Sequence, residues 1–419
     1  MHSRLHVPDL MNICLVSQEY PPESTDGGIG TQTWVKATGL VRAGHTVHVL
    51  SVGGEDAPPL ATKETDGVIV HRMRPPCADF AVYDNATYLL GYTWHVLGAL
   101  SKLMESVKFD VLDFPEYGFE GAAYQIDRTA WNFVPTVVQL HGSLGMFADR
   151  FGWPEKGSAF HRLGTSMEAL SITQADVVMS CSASIAEVVS RDYGVPLNAI
   201  EVVHAGVDVE MFSPAPDGAW PVRPTIVFAG KVVENKGVHH LVEAVLRLRK
   251  KYPEVLLRIL GTSRRGLAET LKERIAAEHA EYNVDFAGFI DFALLPDHYR
   301  RATVVCMPSE YEALGNVYLE GMACGKPVIG SSAGGGGEAI VNGVTGITVS
   351  PNDVDALTAA LDRVLGDAAL QKRMGAEGRR RVEEYWTTEK FIHRILAVYE
   401  KAVEIGKRKL DQLKIDCDA

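Results

Sequence analysis

PSEYEALGNVYLEGMACGKPVIG, residues 308–330, sets Glu312 and Glu320 eight positions apart around the start of a predicted helix. A strand-like run over 302–307 feeds a turn at Pro308 and Ser309. After Gly315 the chain reads as a helix, closed by Cys324 and Gly325 and then by Lys326 and Pro327. Such a helix start offers unpaired N–H groups and the positive end of a dipole, a natural seat for phosphate. Glu312 stands in the loop just before it, and Glu320 more than one turn inside. A carboxylate does not bind phosphate but accepts readily from hydroxyl groups. Phosphate on the N–H groups with a sugar hydroxyl on either side describes a nucleotide-sugar.

The chain continues as a short buried strand at 327–330, then SSAGGGGE at 331–338 and a tight turn at Asn342 and Gly343. Four consecutive glycines permit positive φ and close backbone approach to a ligand. They lie between a buried strand and a short helix predicted at 338–341, which is no place for a plain linker.

Working outward, two similar halves emerge. A strand at 12–17 precedes the glycine loop 27–30 and a helix at 31–43; a strand at 225–229 precedes Gly230, a polar loop to Gly237 and a helix at 238–250. Further strands are predicted at 46–52, 67–72, 111–114, 136–140, 177–181 and 200–203, and in the second half at 255–261, 285–287, 303–307, 327–330 and 346–349. Strands alternating with amphipathic helices predict an α/β chain of parallel sheets with helices on both faces. The domains are placed at 11–210 and 220–386. The segment 206–223, with Pro214, Pro216 and Pro221, reads as the linker between them. A helix over 388–409 carries Phe391, Ile392, Ile395, Leu396, Tyr399 and Val403 on one stripe; residues 387–410 are assigned back to the first domain.

At 419 residues, two cores are expected. A hydrophobic content of 46% with 22% charged residues is that of a globular protein, and the net charge of −12 argues against nucleic acid as partner. Six scattered cysteines read as small buried hydrophobes in a reducing compartment. No apolar run reaches the length of a membrane span, and the first ten residues lack the apolar core of a signal peptide. The expectation is a cytoplasmic protein starting at Met11, with peripheral membrane contact left open.

Doubly wound sheets bind ligands at the carboxyl ends of their strands, and the informative loops all follow strands. Lys231 and Lys236 flank the loop in AGKVVENKG, two point charges that could hold a diphosphate beside the helix start at 316–318. His141 ends the strand 136–140, beside Gly142, and is a site candidate. Asp113 and Glu116 close a neighbouring strand and could face an acceptor. No histidine spacing suggests a metal, and none is expected.

The ordered motifs resemble those of the GT-B glycosyltransferases of retaining family 4. They are YPP at 20–22 with GGIG at 27–30, HGS at 141–143, Ala175 and Asp176, HAGVDVEMFSP at 204–214, AGKVVENKG at 229–237, the glutamate pair and GGGGEAI at 334–340. The resemblance runs nearly the whole length. It implies two facing Rossmann-like doubly wound domains, with the C-terminal helix crossing back to the first. It also implies hexosyl transfer from a nucleotide-diphosphate sugar to a hydroxyl acceptor: a sugar, a lipid-linked molecule or a small molecule. No cofactor or metal is implied, because lysines and helix dipole take the metal's place. By the same resemblance Glu320 binds the ribose hydroxyls and Glu312 lies near the hydroxyls of the donor sugar. Gly315, Asn316 and Val317 meet the diphosphate through backbone. Lys236 holds the diphosphate, with Lys231 where the family more often has arginine. His141 contacts the donor sugar, Gly27 and Gly28 lie near phosphates and acceptor, and Ile290, after Phe289, cradles the base. Two alternatives share the fold: a nucleotide-sugar 2-epimerase, and a nucleotide-sugar-binding protein without turnover.

Overall fold

The computed structural model describes residues 10–22, 28–79, 81–218, 220–263 and 266–413, with the backbone alone continuing to 418. Within these residues the chain forms two α/β units. The first runs to His204 and takes in the chain again from Glu389; the second is Ala205–Thr388.

In the first unit the described strands are β1 (Asn12–Val16), β2 (Thr46–Val52), β3 (Leu60–Thr65), β4 (Val68–Met73), β5 (Val111–Pro115), β6 (Thr136–Leu140), β7 (Val177–Ser180) and β8 (Ile200–Val202). They form one sheet in the order β3-β4-β2-β1-β5-β6-β7-β8. Every pairing is parallel except β3 with β4. The strands of the second unit are β9 (Thr225–Ala229), β10 (Leu256–Leu260), β11 (Val284–Gly288), β12 (Val304–Met307), β13 (Val328–Ser331) and β14 (Gly346–Val349). Their order is β11-β10-β9-β12-β13-β14, all parallel. The strand order reverses between β1 and β5 in one sheet and between β9 and β12 in the other. At such a reversal the flanking loops diverge to opposite faces and leave a crevice at the carboxyl ends.

The central strands are buried throughout: TIVFA of β9 and VLDFP of β5 have no exposed position. That is why they read as apolar runs rather than alternating ones. The helix Val238–Leu248 shows the complementary pattern, burying Val238, Leu241, Val242, Val245 and Leu248 while Arg247 points out. Burying each such side chain stabilises the fold by roughly 1.5–3 kcal/mol before entropy is counted.

Two readings change. β3, the LATKET edge strand, was not anticipated; it is half-exposed and polar, and its place comes from backbone pairing with β4. The segment 206–223 does not stand between the units but belongs to the second: Val207 and Phe212 are buried in its core, while Pro214, Pro216 and Val222 are exposed. Arg379 holds it there, with one Nη1 donating to the carbonyls of Val209, Phe212 and Ala323 at 2.9 Å each. Arg300 adds bonds to the carbonyls of Met211 and Ser213. The C-terminal helix Thr388–Asp418 lays Phe391, Ile392, Ile395, Leu396, Tyr399 and Ala402 into the core of the first unit. Among the described residues, no helix is long and apolar enough to cross a membrane.

Candidate active site

In the second unit the two strands at the reversal carry the predicted loops. β9 leads into Gly230 and Lys231, a tight turn at Glu234–Lys236 and the helix Val238–Leu248; β12 leads into 308–315 and the helix Asn316–Ala323. The loops are joined by backbone, the Glu310 N–H donating to the Asn235 carbonyl at 2.9 Å. Gly237 permits that approach. Its φ is +68°, and a Cβ there would lie 2.1 Å from the Pro308 carbonyl oxygen. Gly237→Ala is therefore expected to lose at least about 1–2 kcal/mol from the left-handed backbone alone, and more from displacing 308. Denaturant unfolding checks this; wild-type stability would show that the loops do not need this contact.

Lys236 Nζ lies 2.5 Å from Glu312 Oε1, and the Ser309 hydroxyl donates to the same oxygen at 2.6 Å. Glu312 is 6% exposed, and its Oε2 takes no hydrogen bond from the described residues. Lysine and glutamate thus form one unit in which the ammonium keeps two N–H groups for a ligand. Lys231, half-buried, opens the same loop. Gly315, with φ +89°, turns the chain into the helix Asn316–Ala323, whose first N–H groups have no helical partners. One turn on, Glu320 is 8% exposed and receives the Tyr299 hydroxyl on Oε2 at 2.6 Å. Burial pushes the Glu320 carboxyl up to about 7. Ile290 follows β11 and packs half-buried on the core, next to Phe289, which is 49% exposed.

The glycine run shows the expected positive φ at Gly334, +75°, and its close approaches are to the chain's own backbone. Cβ atoms on Gly334, Gly335 and Gly336 would lie 2.1 Å from Glu312 O, 2.1 Å from Ala313 O and 2.4 Å from Ser331 O. Three of the four glycines therefore admit the chain's own backbone: the Gly335 N–H donates to the Glu312 carbonyl at 2.8 Å. They fix the loop that carries Glu312. At Gly337 a Cβ would make only an ordinary contact, 3.9 Å from the Ser332 carbonyl oxygen. The helix following them is Gly336–Ala339, shifted from the predicted 338–341.

In the first unit, His141 follows β6 as predicted. Its N–H donates to Glu116 Oε1 at 2.5 Å, and the Gly142 N–H donates to the same oxygen. Next along, Ser143 caps the helix Leu144–Phe151, and the Leu144 N–H donates to the Glu168 carboxylate at 2.9 Å. The Tyr193 hydroxyl also donates to Glu168, at 2.9 Å. Two buried carboxyl groups thus clamp the His141 loop from beneath. Burial pushes Glu116 up to about 7 and Glu168 well above its ordinary range. Burial, with the nearby Lys36 charge, lowers the His141 imidazole to about 3, so it is neutral at pH 7. Asp113 and Glu116 do not face an acceptor. Asp113 is 3% exposed, with Lys36 Nζ at 2.7 Å, and Glu116 is fully buried. Gly28 begins the helix Gly28–Arg42; Gly27 lies outside the described residues.

Ser309, Tyr299 and Glu168 are not singled out by the sequence, and Glu116, expected to face an acceptor, instead holds the His141 loop. Ser309 had a signal, standing three residues before Glu312. The others become neighbours only through the fold. Among the described residues, no three of His, Cys, Asp and Glu stand together as a metal site requires.

Residues 218–381 match the family described as glycosyl transferases group 1, and residues 26–211 match glycosyltransferase family 4. The chain is 30% identical over 390 residues to glycogen synthase of Mycobacterium tuberculosis, covering 90% of this chain and 92% of that protein. In fold it is similar to sucrose-phosphate synthase of Thermosynechococcus elongatus: TM-score 0.78, 20% identity, 93% of this chain and 98% of that one. Anabaena HepE, solved with UDP and glucose, gives a TM-score of 0.72 at 18% identity, over 93% and 99% of the two chains.

Proposed function

The chain belongs to the GT-B glycosyltransferases of family 4, the group 1 transferases, and from that premise we propose a specific reaction. It moves a hexosyl residue from a UDP- or GDP-sugar to a hydroxyl acceptor, with retention at the anomeric carbon and without a metal ion. One observation carries this reading: a lysine–glutamate pair and a helix N-terminus meet on the loops leaving β9 and β12, where the strand order reverses.

Breaking the bond between anomeric carbon and diphosphate leaves negative charge on the leaving group. Lys236, Lys231 and the N–H groups of Gly315, Asn316 and Val317 are the fixed positive groups that stabilise it as it develops. Fixed cations placed in this way take the part a divalent ion plays elsewhere. Glu312 accepts from a hydroxyl of the donor sugar through Oε2, and Glu320 from the ribose. His141, being neutral, serves a sugar hydroxyl as a hydrogen-bonding partner and not as a cation. No side chain is assigned as covalent nucleophile. The acceptor attacks from the leaving-group face, and a phosphate oxygen of the donor takes its proton.

Thermal unfolding in the presence of UDP, GDP, ADP and their common sugar conjugates, with and without chelator, tests the reading. A ligand at about 100 times its dissociation constant stabilises the folded state by about 2.7 kcal/mol. The expected result is a shift with one nucleotide that chelator does not alter. A shift that chelator abolishes overturns metal independence, and no shift with any nucleotide overturns the donor site.

A further inference from the structure

We propose that Tyr299 is a positioning residue for nucleoside recognition: its hydroxyl occupies one oxygen of the Glu320 carboxylate and leaves the other for the ribose hydroxyls of the donor. The inference rests on the assignment of Glu320 to the ribose.

The geometry supports a built arrangement. Tyr299 is fully buried on the helix Leu295–Arg300, which follows the loop carrying Ile290. Its hydroxyl lies 2.6 Å from Glu320 Oε2. Oε1 takes no hydrogen bond from the described residues, although Glu320 is only 8% exposed. Without the phenol, a carboxylate on this helix would have rotamer freedom at its free end, and ribose binding would have to freeze it. The phenol is itself immobilised. Its ring packs against that of Phe212 at 6.0 Å, and Phe212 meets Phe292 edge-on at 5.4 Å. This gives HAGVDVEMFSP, residues 204–214, a function: clamped by Arg300 and Arg379, it supplies the aromatic wall behind the tyrosine that sets the glutamate.

The chemistry is one-sided. Burial holds the phenol protonated far above neutral pH, so it always donates. The Glu320 carboxyl is raised by burial and lowered by the phenol's hydrogen bond. The other titratable group facing it is the Cys324 thiol, which burial pushes up to about 12 and so keeps neutral; the Arg300, Lys326 and Arg379 charges act on that thiol. Two ribose hydroxyls donate best to an ionised carboxylate. Nucleotide affinity should therefore fall as pH drops through about 7, the value of the Glu320 carboxyl. Removing the phenol removes a lowering influence, so this acid limb should move to higher pH.

Competition binding on the full chain tests the proposal, using UDP, GDP and ADP with their 2′,3′-dideoxy counterparts. Tyr299→Phe keeps the buried ring, and thermal unfolding verifies its fold. The variant should bind the preferred ribonucleotide about threefold to tenfold more weakly, the effect of having to immobilise one freed side chain on binding. It should bind the dideoxy form as wild type does, with the acid limb shifted upward. A wild-type ribose preference and pH profile in Tyr299→Phe overturns the proposal. Glu320→Ala separates this from its premise. If it abolishes ribose preference while Tyr299→Phe retains it, only the positioning role falls. If Glu320→Ala retains it, the ribose assignment falls and the proposal with it.

Discussion

Lys236→Ala should lower turnover by about 10²–10³, the cost of removing one preorganised group from a developing anion, about 2.7–4 kcal/mol. The structure adds a second component to that loss. Lys236 Nζ stands 2.5 Å from Glu312 Oε1. Removing the ammonium leaves the Glu312 carboxylate with Ser309 as its only hydrogen-bond partner among the described residues, and on the proposed reading places an uncompensated charge where the diphosphate departs. Like charge disfavours that departure in addition to the missing donor. The two components separate in a double-mutant cycle. Glu312→Gln alone should weaken donor binding and turnover while leaving the lysine free. The pair Lys236→Ala and Glu312→Gln should fall short of the sum of the single effects by about 0.5–3 kcal/mol, the range for residues in direct contact. Single-turnover kinetics with saturating donor makes the measurement. Near-normal turnover of Lys236→Ala would remove the lysine from the leaving-group role; strict additivity would mean that the ion pair opens when donor binds.

The same loop shows why some of the site could be read in advance and some could not. Where Glu312 and Glu320 stand was legible because a strand, a turn and a helix start are local patterns, and both residues keep fixed positions relative to Gly315. Tyr299 was not legible: in LPDHYRR it is one more aromatic on a short helix until β12 and the helix Asn316–Ala323 bring Glu320 against it. Glu168, and the part Glu116 plays, were hidden for a similar reason. Each acts on backbone N–H groups of a distant loop, and a hydrogen bond to backbone leaves no trace in the partner's residue type. The glycine run was legible as close approach but not as to what approaches, since composition cannot distinguish a ligand from the Glu312 carbonyl. In the fold, parallel strands buried on both faces announced themselves as short apolar runs. The edge strand β3 did not, because it has a single neighbour and a largely solvated surface. Four prolines between 214 and 224 suggested a linker; the burial of Phe212 depends on Phe292, Tyr299 and Arg379, all remote in sequence.

Breaking the ion pair under the His141 loop should produce a large stability effect. Lys36 and Asp113 face each other at 2.7 Å with side chains 5% and 4% exposed. The ammonium also donates to Gln139 Oε1, and the Tyr399 hydroxyl of the C-terminal helix donates to the same Asp113 oxygen. Lys36→Met keeps the length of the side chain and removes its charge. It strands a buried carboxylate with one phenol as partner and should cost about 3–5 kcal/mol. Asp113→Leu strands the ammonium and should cost a similar amount. The double variant strands neither, and apolar replacement of a buried pair is often neutral or stabilising by about 1–4 kcal/mol. Denaturant unfolding of the four proteins should therefore show two deep losses and a recovery. Recovery would mean that stability is not what the pair contributes. The charge beside His141, which helps hold that imidazole neutral, would then be its use, and the double variant should fold well yet transfer poorly. Failure to recover would instead assign the network to the architecture. The Tyr399 and Gln139 bonds would then be what the C-terminal helix needs to stay docked on the sheet, and activity would fall only as far as folding does.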